Sequence, residues 1–190
     1  MSCVVVVADK EHSDFICHLH RLLGAFFPTA LIRPKSLHVP PQNAEIILTD
    51  SQHFARIEAA TQLIICKGLC EMGRVNGSFK NAIAIVDSDD GEPLPAVSST
   101  NLPVITCGLS KKDSITLSSI GREQVVVSVQ RSIQCMNGSI AEPQEIPFRL
   151  SGPVDHFVLM ALTAIVLFLG QSHRLLEGKN MQKFAQELTE

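Results

Sequence analysis

The sequence contains no Trp and no Tyr, and its aromatic supply is nine Phe. That leaves little material for a base-stacking platform, and the Phe are expected to fill the core. A basic excess is also missing, since 16 Lys and Arg stand against 19 Asp and Glu for a net charge of -3. Such a balance does not neutralise phosphate backbones, so nucleic acid is not an expected partner. The opening MSCVVVVADKEHS lacks the basic stretch and small-residue cleavage site of a signal peptide. A cytoplasmic protein is expected from it.

Long hydrophobic runs are scarce as well. The longest, FVLMALTAIVLFL from Phe157 to Leu169, falls short of the about 20 residues that cross a bilayer and has no polar face for surface anchoring. It is expected to be a core helix, begun by Asp155 and His156 and ended by Gly170. The six cysteines give no framework. Only Cys66 and Cys70 are close, as C-x3-C, and no second Cys or His pair completes a zinc arrangement. Cys3, Cys66 and Cys107 lie in or beside apolar runs, where a thiol behaves as a small hydrophobe. His18 and His20 are two apart on a predicted helix and face different sides, so they make no ligand pair. A G-x-S-x-G nucleophile elbow is missing, and CGLS at Cys107 to Ser110 has no assignable general base.

What is present alternates. Val4 to Phe26 reads as a strand, a polar turn and an amphipathic helix. AEIILTDS (44–51), TQLIICKG (61–68), Asn81 to Val86 and LPVITCGL (102–109) are short, nearly continuous apolar runs, as in parallel strands covered on both faces. ARIEAATQ, before the second of these runs, is expected to be helical. From Ser114, SITLSSI, QVVVSVQRSI and EIPFRL have period-two character and suggest antiparallel strands on the edge of the same sheet. The expected fold class is α/β, three-layered, with a mostly parallel central sheet and an antiparallel edge. A single domain is expected over 1–170, followed by a polar helical tail over 171–190.

The order of AIAIVDSDD, VITCGLSKKDSITLSSI, the antiparallel strands and SGPVDHFVLMALTAIVLFLG resembles the central domain of the Mur ligases. Those are ATP-dependent enzymes that join amino acids to the peptidoglycan precursor. In that family a strand ends in an N-x-D-D-like run, a V-I-T-x-G strand follows, and a G-x-H-N-x-x-N-A-x-A-A helix comes after the antiparallel strands. The resemblance covers Val4 to Gly170.

Carried over position by position, the resemblance fails where ATP would be held. The family's first strand leads into G-T-N-G-K-T-T, a loop that cradles phosphates with backbone N–H groups, Lys and a Mg²⁺-holding Thr. Here the turn is ADKEHSD, with acids in place of the glycines and Lys10 between Asp9 and Glu11. The two Asn that the resemblance assigns to nucleotide contacts correspond to Phe157 and Met160, which make no amide hydrogen bonds. His156 alone keeps its family identity in that helix. The family also has amino- and carboxyl-terminal partner domains, which are expected to be lacking here, with three residues before Val4 and 20 after Gly170.

The remaining candidates are polar groups at strand ends. Asp87, Asp89 and Asp90 end a central strand, where open α/β sheets bind ligands. Asp89 and Asp90 are candidate Mg²⁺ ligands, and the same run is also ordinary turn chemistry. Gly108, Ser110 and the SSTN loop (98–101) are candidates for the same rim, and His156 is a candidate ligand-binding residue. The expected function is a non-catalytic Mur-ligase-like binding or interaction module linked to cell-wall synthesis. It would have no catalytic residue and no cofactor, and its partner would be another protein or a second copy of this chain, with no membrane. The alternative is a ligase-type or phosphate-handling enzyme that uses Mg²⁺ and ATP at an atypical site, and a small-molecule sensor is a third reading.

Overall fold

The computed structural model describes residues 3–8, 13–33, 35–50, 61–67, 82–90, 101–150 and 154–176. It divides into two compact units, Met1–Val104 and Ile105–Glu190.

In the first unit, β1 (Cys3–Ala8) is followed by α1 (Ser13–Gly24), β2 (Thr29–Arg33), β3 (Ser36–His38), β4 (Ile46–Asp50), β5 (Gln62–Cys66) and β6 (Ala82–Asp87). Strand order across the sheet is β3-β2-β4-β1-β5-β6. All neighbours are parallel except β2 and β3, which form a hairpin. The parallel strands read as apolar runs because both faces are covered, and every residue of β5 and β6 is buried. Helix α1 places Phe15, Ile16, Leu19, Leu22 and Leu23 on one buried stripe and leaves Asp14 and His18 in solvent, which is the 3.6-residue pattern of a half-buried helix. That stripe packs on β2 and β4.

The β2–β3 hairpin was not expected. TALIRPKSLH is interrupted by Pro34 and ends before two more prolines, so it lacks a continuous apolar signature. Its register sets Arg33 opposite Ser36 and Leu31 opposite His38. The helix expected over ARIEAATQ lies, up to Ala60, outside the described residues, as do Cys70 and 177–190.

The second unit contains β7 (Val104–Cys107), β8 (Ile115–Ile120), β9 (Gln124–Val129), β10 (Ile133–Gln134), β11 (Ile140–Ala141), β12 (Gln144–Arg149), α2 (His156–Phe168) and α3 (Ser172–Leu176). Strand β8 runs parallel to β7 and antiparallel to β9, which pairs antiparallel with β12. QVVVSVQRSI is thus two strands, because β10 leaves the ladder to pair with β11. Burial alternates along β12, with Ile146 and Phe148 inward, and Pro147 is accommodated because β12 is the outermost strand. The fold class is α/β, as expected, with mostly parallel pairing among the strands of the first unit and mostly antiparallel pairing among those of the second.

Helix α2 is buried from Phe157 to Leu167 and packs on β8, β9, β10 and α3. Its ends are closed as the sequence suggested. Asp155 accepts a hydrogen bond from the Phe157 N–H at 2.8 Å. Gly170, at φ +69°, closes the other end with Gly170 N–H to Leu167 O and Gln171 N–H to Val166 O, the paired bonds of a Schellman motif. The one hydroxyl within the helix, on Thr163, donates to Leu159 O at 2.9 Å and is therefore satisfied in a fully buried place. No described helix is long and apolar enough to cross a membrane.

Candidate functional site

Strand order fixes where a ligand could sit in the first unit. The connection leaving β1 leads through α1 to the β4 side of the sheet, whereas β5 leads to β6 on the other side. The change of direction falls between β1 and β5, and in open α/β sheets the crevice beyond the carboxyl ends of such strands is the usual binding place. Lys67 directly follows β5, and Asp87 is the last residue of β6. Because Cys66 pairs with Val86, these two occupy equivalent positions one step further along adjacent strands.

Asp87 is 9% exposed, and its Oδ1 accepts a hydrogen bond from the Asp89 N–H at 3.2 Å. Burial pushes its carboxyl up from 3.8 to about 6. The Asp89 N–H and the positive charge of Lys67 pull it back, and Asp89 and Asp90 push it further up. Asp89 and Asp90 are exposed on the following turn. The ammonium of Lys67 lies 5.0 Å from the centroid of the Phe15 ring, a cation–π contact with the first turn of α1. Phe15 itself is buried.

The structure therefore brings Asp87, Asp89 and Asp90 together on one turn and adds Lys67 and Phe15, which the sequence reading did not single out. Lys67 carried the same signal as Asp87, being the first charged residue after an apolar strand. Phe15 carried none, because its part depends on β1 and β5 being neighbours. The turn from Asp9 to His12 lies outside the described residues.

Gly108, Ser110 and His156 belong to the second unit. Gly108 is buried at the end of β7 and donates its N–H to Ile115 O at 3.2 Å. Ser110 is exposed and engaged on three sides of a tight turn. Its N–H donates to Asp113 Oδ2 at 3.1 Å, its carbonyl accepts from the Asp113 N–H at 3.0 Å, and its Oγ accepts from the Lys112 N–H at 3.2 Å. Asp113, 4% exposed, is thus a turn-closing carboxylate that the sequence reading passed over. His156 is half-buried at the first position of α2. Of SSTN only Asn101 is described, with φ 54°.

Cysteine and histidine chemistry matches the expectations for packing residues. Cys3, Cys17, Cys66, Cys107 and Cys135 form no disulfide. Burial pushes the Cys3 thiol up to about 12, which keeps it protonated. His18 is exposed, while the Nε2–H of His20 donates to Thr29 O at 3.2 Å and its ring meets His38 edge-on at 4.9 Å. Among the described residues no group of three or more His, Cys, Asp or Glu is placed to hold a metal ion.

No family model matches this sequence, and no curated protein is similar to it at a significant level. Solved structures do match. The murein peptide ligase mpl from Psychrobacter arcticus superposes with a TM-score of 0.54 at 8% identity, over 98% of this chain and 46% of its own. MurF from Acinetobacter baumannii gives 0.52 at 11% identity, over 98% and 45%. A mutant of L. casei FPGS gives 0.50 at 8% identity, over 99% of this chain and 62% of its own. The fold is therefore Mur-ligase-like, and the chain spans about half the length of the ligases it matches.

Proposed function

We propose that this chain is a non-catalytic binding module on a Mur-ligase-like fold, cytoplasmic and associated with cell-wall synthesis through a protein partner or a second copy of itself. The observation that carries this reading is the burial of Phe157 and Met160, 3% and 1% exposed, at positions where the resemblance puts nucleotide-contacting Asn. Both are built into the core, so a nucleotide would find neither an amide nor an accessible surface there. The ADKEHSD sequence supports the same conclusion, because acids in place of glycine amides repel polyphosphate. The association with cell-wall synthesis rests on the fold of ligases named for that process and on analogy alone.

The enzyme reading is favoured by one feature, the buried carboxylate of Asp87 at a strand end, since such perturbed groups concentrate at functional sites. Asp87, Asp89 and Asp90 nevertheless fit Mg²⁺ poorly. Two are exposed turn residues, and the third already holds the Asp89 N–H in surroundings that favour its protonated form. A thermal-shift titration with ATP, ADP and UDP-sugars, with and without Mg²⁺, separates the two readings. The module reading expects no stabilisation and a stable assembly by light scattering. Stabilisation by Mg-ATP that disappears in Asp89→Ala would establish the enzyme reading instead.

A further inference from the structure

From Phe15 to Ala44 the chain carries Arg21, Arg33 and Lys35 and the histidines His18, His20 and His38, with no Asp or Glu, although the whole protein has a net charge of -3. The fold gathers these residues in the first unit. Helix α1 packs on β2, β2 pairs with β3, and β3 is the outermost strand. Residues opposite one another in an antiparallel pair share a face, so Leu31, Arg33, Ser36 and His38 stand on one side of the hairpin and Ile32 and Leu37 on the other. The first side is the one toward α1, because Arg33 donates to Cys17 Sγ at 3.2 Å and the His38 ring meets that of His20 at 4.9 Å. Arg21 lies one turn beyond Cys17, and its Nε is buried with no hydrogen-bond partner.

Strand β3 is exposed at every position, and the side chains of Leu37 and Val39 are 67% and 62% exposed. No described strand pairs with its outer edge, so an outward row of N–H and C=O groups is open to another chain. The outermost strand of the second unit is built differently. Leu150 N–H donates to Glu123 O, so inward-facing donors recur at Phe148 and Ile146, and Pro147 falls on the outward row between the exposed Glu145 and Arg149. A proline and two charges guard that edge against strand addition, whereas β3, with the sequence SLH, has neither. We propose that β3 is a docking edge for an extended acidic segment of a partner protein. The segment adds as a further strand, with apolar residues beside Leu37 and Val39 and carboxylates on the α1 side, toward Arg33 and His38. This deepens the binding-module reading by naming the chemistry of the partner, and it rests on that reading for the existence of one. Charge selects the occupant. A second copy would bring Arg33, Lys35 and His38 toward their own like, while carboxylates offset them. An acidic strand uses both the open ladder and the cations, in the strand-addition mode of peptide recognition.

Fluorescence anisotropy of the full chain with the labelled peptide Val-Asp-Val-Glu-Val-Asp-Val is expected to show saturable binding. Lys35→Glu, at an exposed position, should weaken it by about 3–10-fold, and added salt should weaken it as well. The peptide with Lys in place of its acids should not bind. N-methylation of one alternate set of the acidic peptide's amides should abolish binding and that of the other set should not, because only one set faces the ladder. Amide NMR shifts on adding the acidic peptide should centre on Ser36, Leu37 and His38. Equal binding of the acidic and basic peptides, indifference to both N-methylated sets, or shifts centred away from β3 would overturn the proposal. A wild-type dimer with its β3 amides protected in the interface would overturn it too, while leaving the binding-module reading in place. Stabilisation by Mg-ATP in the thermal-shift titration bears on that reading and not on the β3 edge.

Discussion

Burying a carboxylate at the end of β6 costs stability at neutral pH. The folded-state value of Asp87, about 6, lies above its ordinary 3.8, so the folded protein binds the proton more tightly than the unfolded chain. The penalty is fully present above pH 6, shrinks as pH falls through that value, and is gone below about 4. Asp87→Asn is therefore expected to stabilise the protein at pH 7 by on the order of 1 kcal/mol, a figure reduced for the solvent around the turn. Urea midpoints of the two proteins should converge as the pH is lowered from 7 to 4, and a difference that grows on acidification would contradict the assignment. That Asp87 marks a strand end was legible from AIAIVDSDD alone. Its burial and its neighbour Lys67 were not, because they depend on the order of strands across the sheet, which no local pattern encodes.

At the scale of elements, legibility followed how completely each one is buried. Strands β5 and β6 and helix α2 announce themselves because elements covered all round must be apolar throughout, and α2 carried both of its end signals in the sequence. The β2–β3 hairpin and the short β10–β11 ladder escaped notice because three- and two-residue strands have too few positions to establish a period. The ends of α2 give two predictions that calorimetry or urea unfolding can check. Asp155→Ala removes the cap on Phe157 N–H and should cost about 1 kcal/mol. Gly170→Ala should cost about 1–2 kcal/mol. A Cβ there would lie 2.6 Å from Asn137 Nδ2, at a φ that L-residues avoid. Asn137 has little freedom to retreat, since its Oδ1 accepts bonds from both the N–H and the hydroxyl of Ser139. Within the helix, Leu159→Ala should cost about 2–5 kcal/mol through the cavity it leaves, whereas Thr163→Val, which removes a locally satisfied hydroxyl, should change stability by less than about 1 kcal/mol.

For the molecule as a whole, identities of 8% and 11% with the matched ligases mean that the fold is kept by a pattern of apolar positions rather than by particular residues. Function depends on particular residues, so the likeness reaches the scaffold and stops short of the chemistry. Within the first unit the same burial pattern ranks local stability. Amides of β5, buried at every position, should exchange with deuterium only on global opening, while those of β3, exposed at every position, should exchange by local fraying orders of magnitude sooner. Comparable protection in the two strands would refute that ranking.

The place of β1 inside this sheet has a consequence for biosynthesis. Cys3 pairs with Ile46 and Val4 with Gln62, so β1 acquires both neighbours only after β4 and β5 have been made. At about 5–20 residues per second that interval lasts about 3–12 s, during which a valine-rich segment has no partner on either side. Nascent chains arrested before Gln62 should accordingly be held by chaperones and released once β5 emerges.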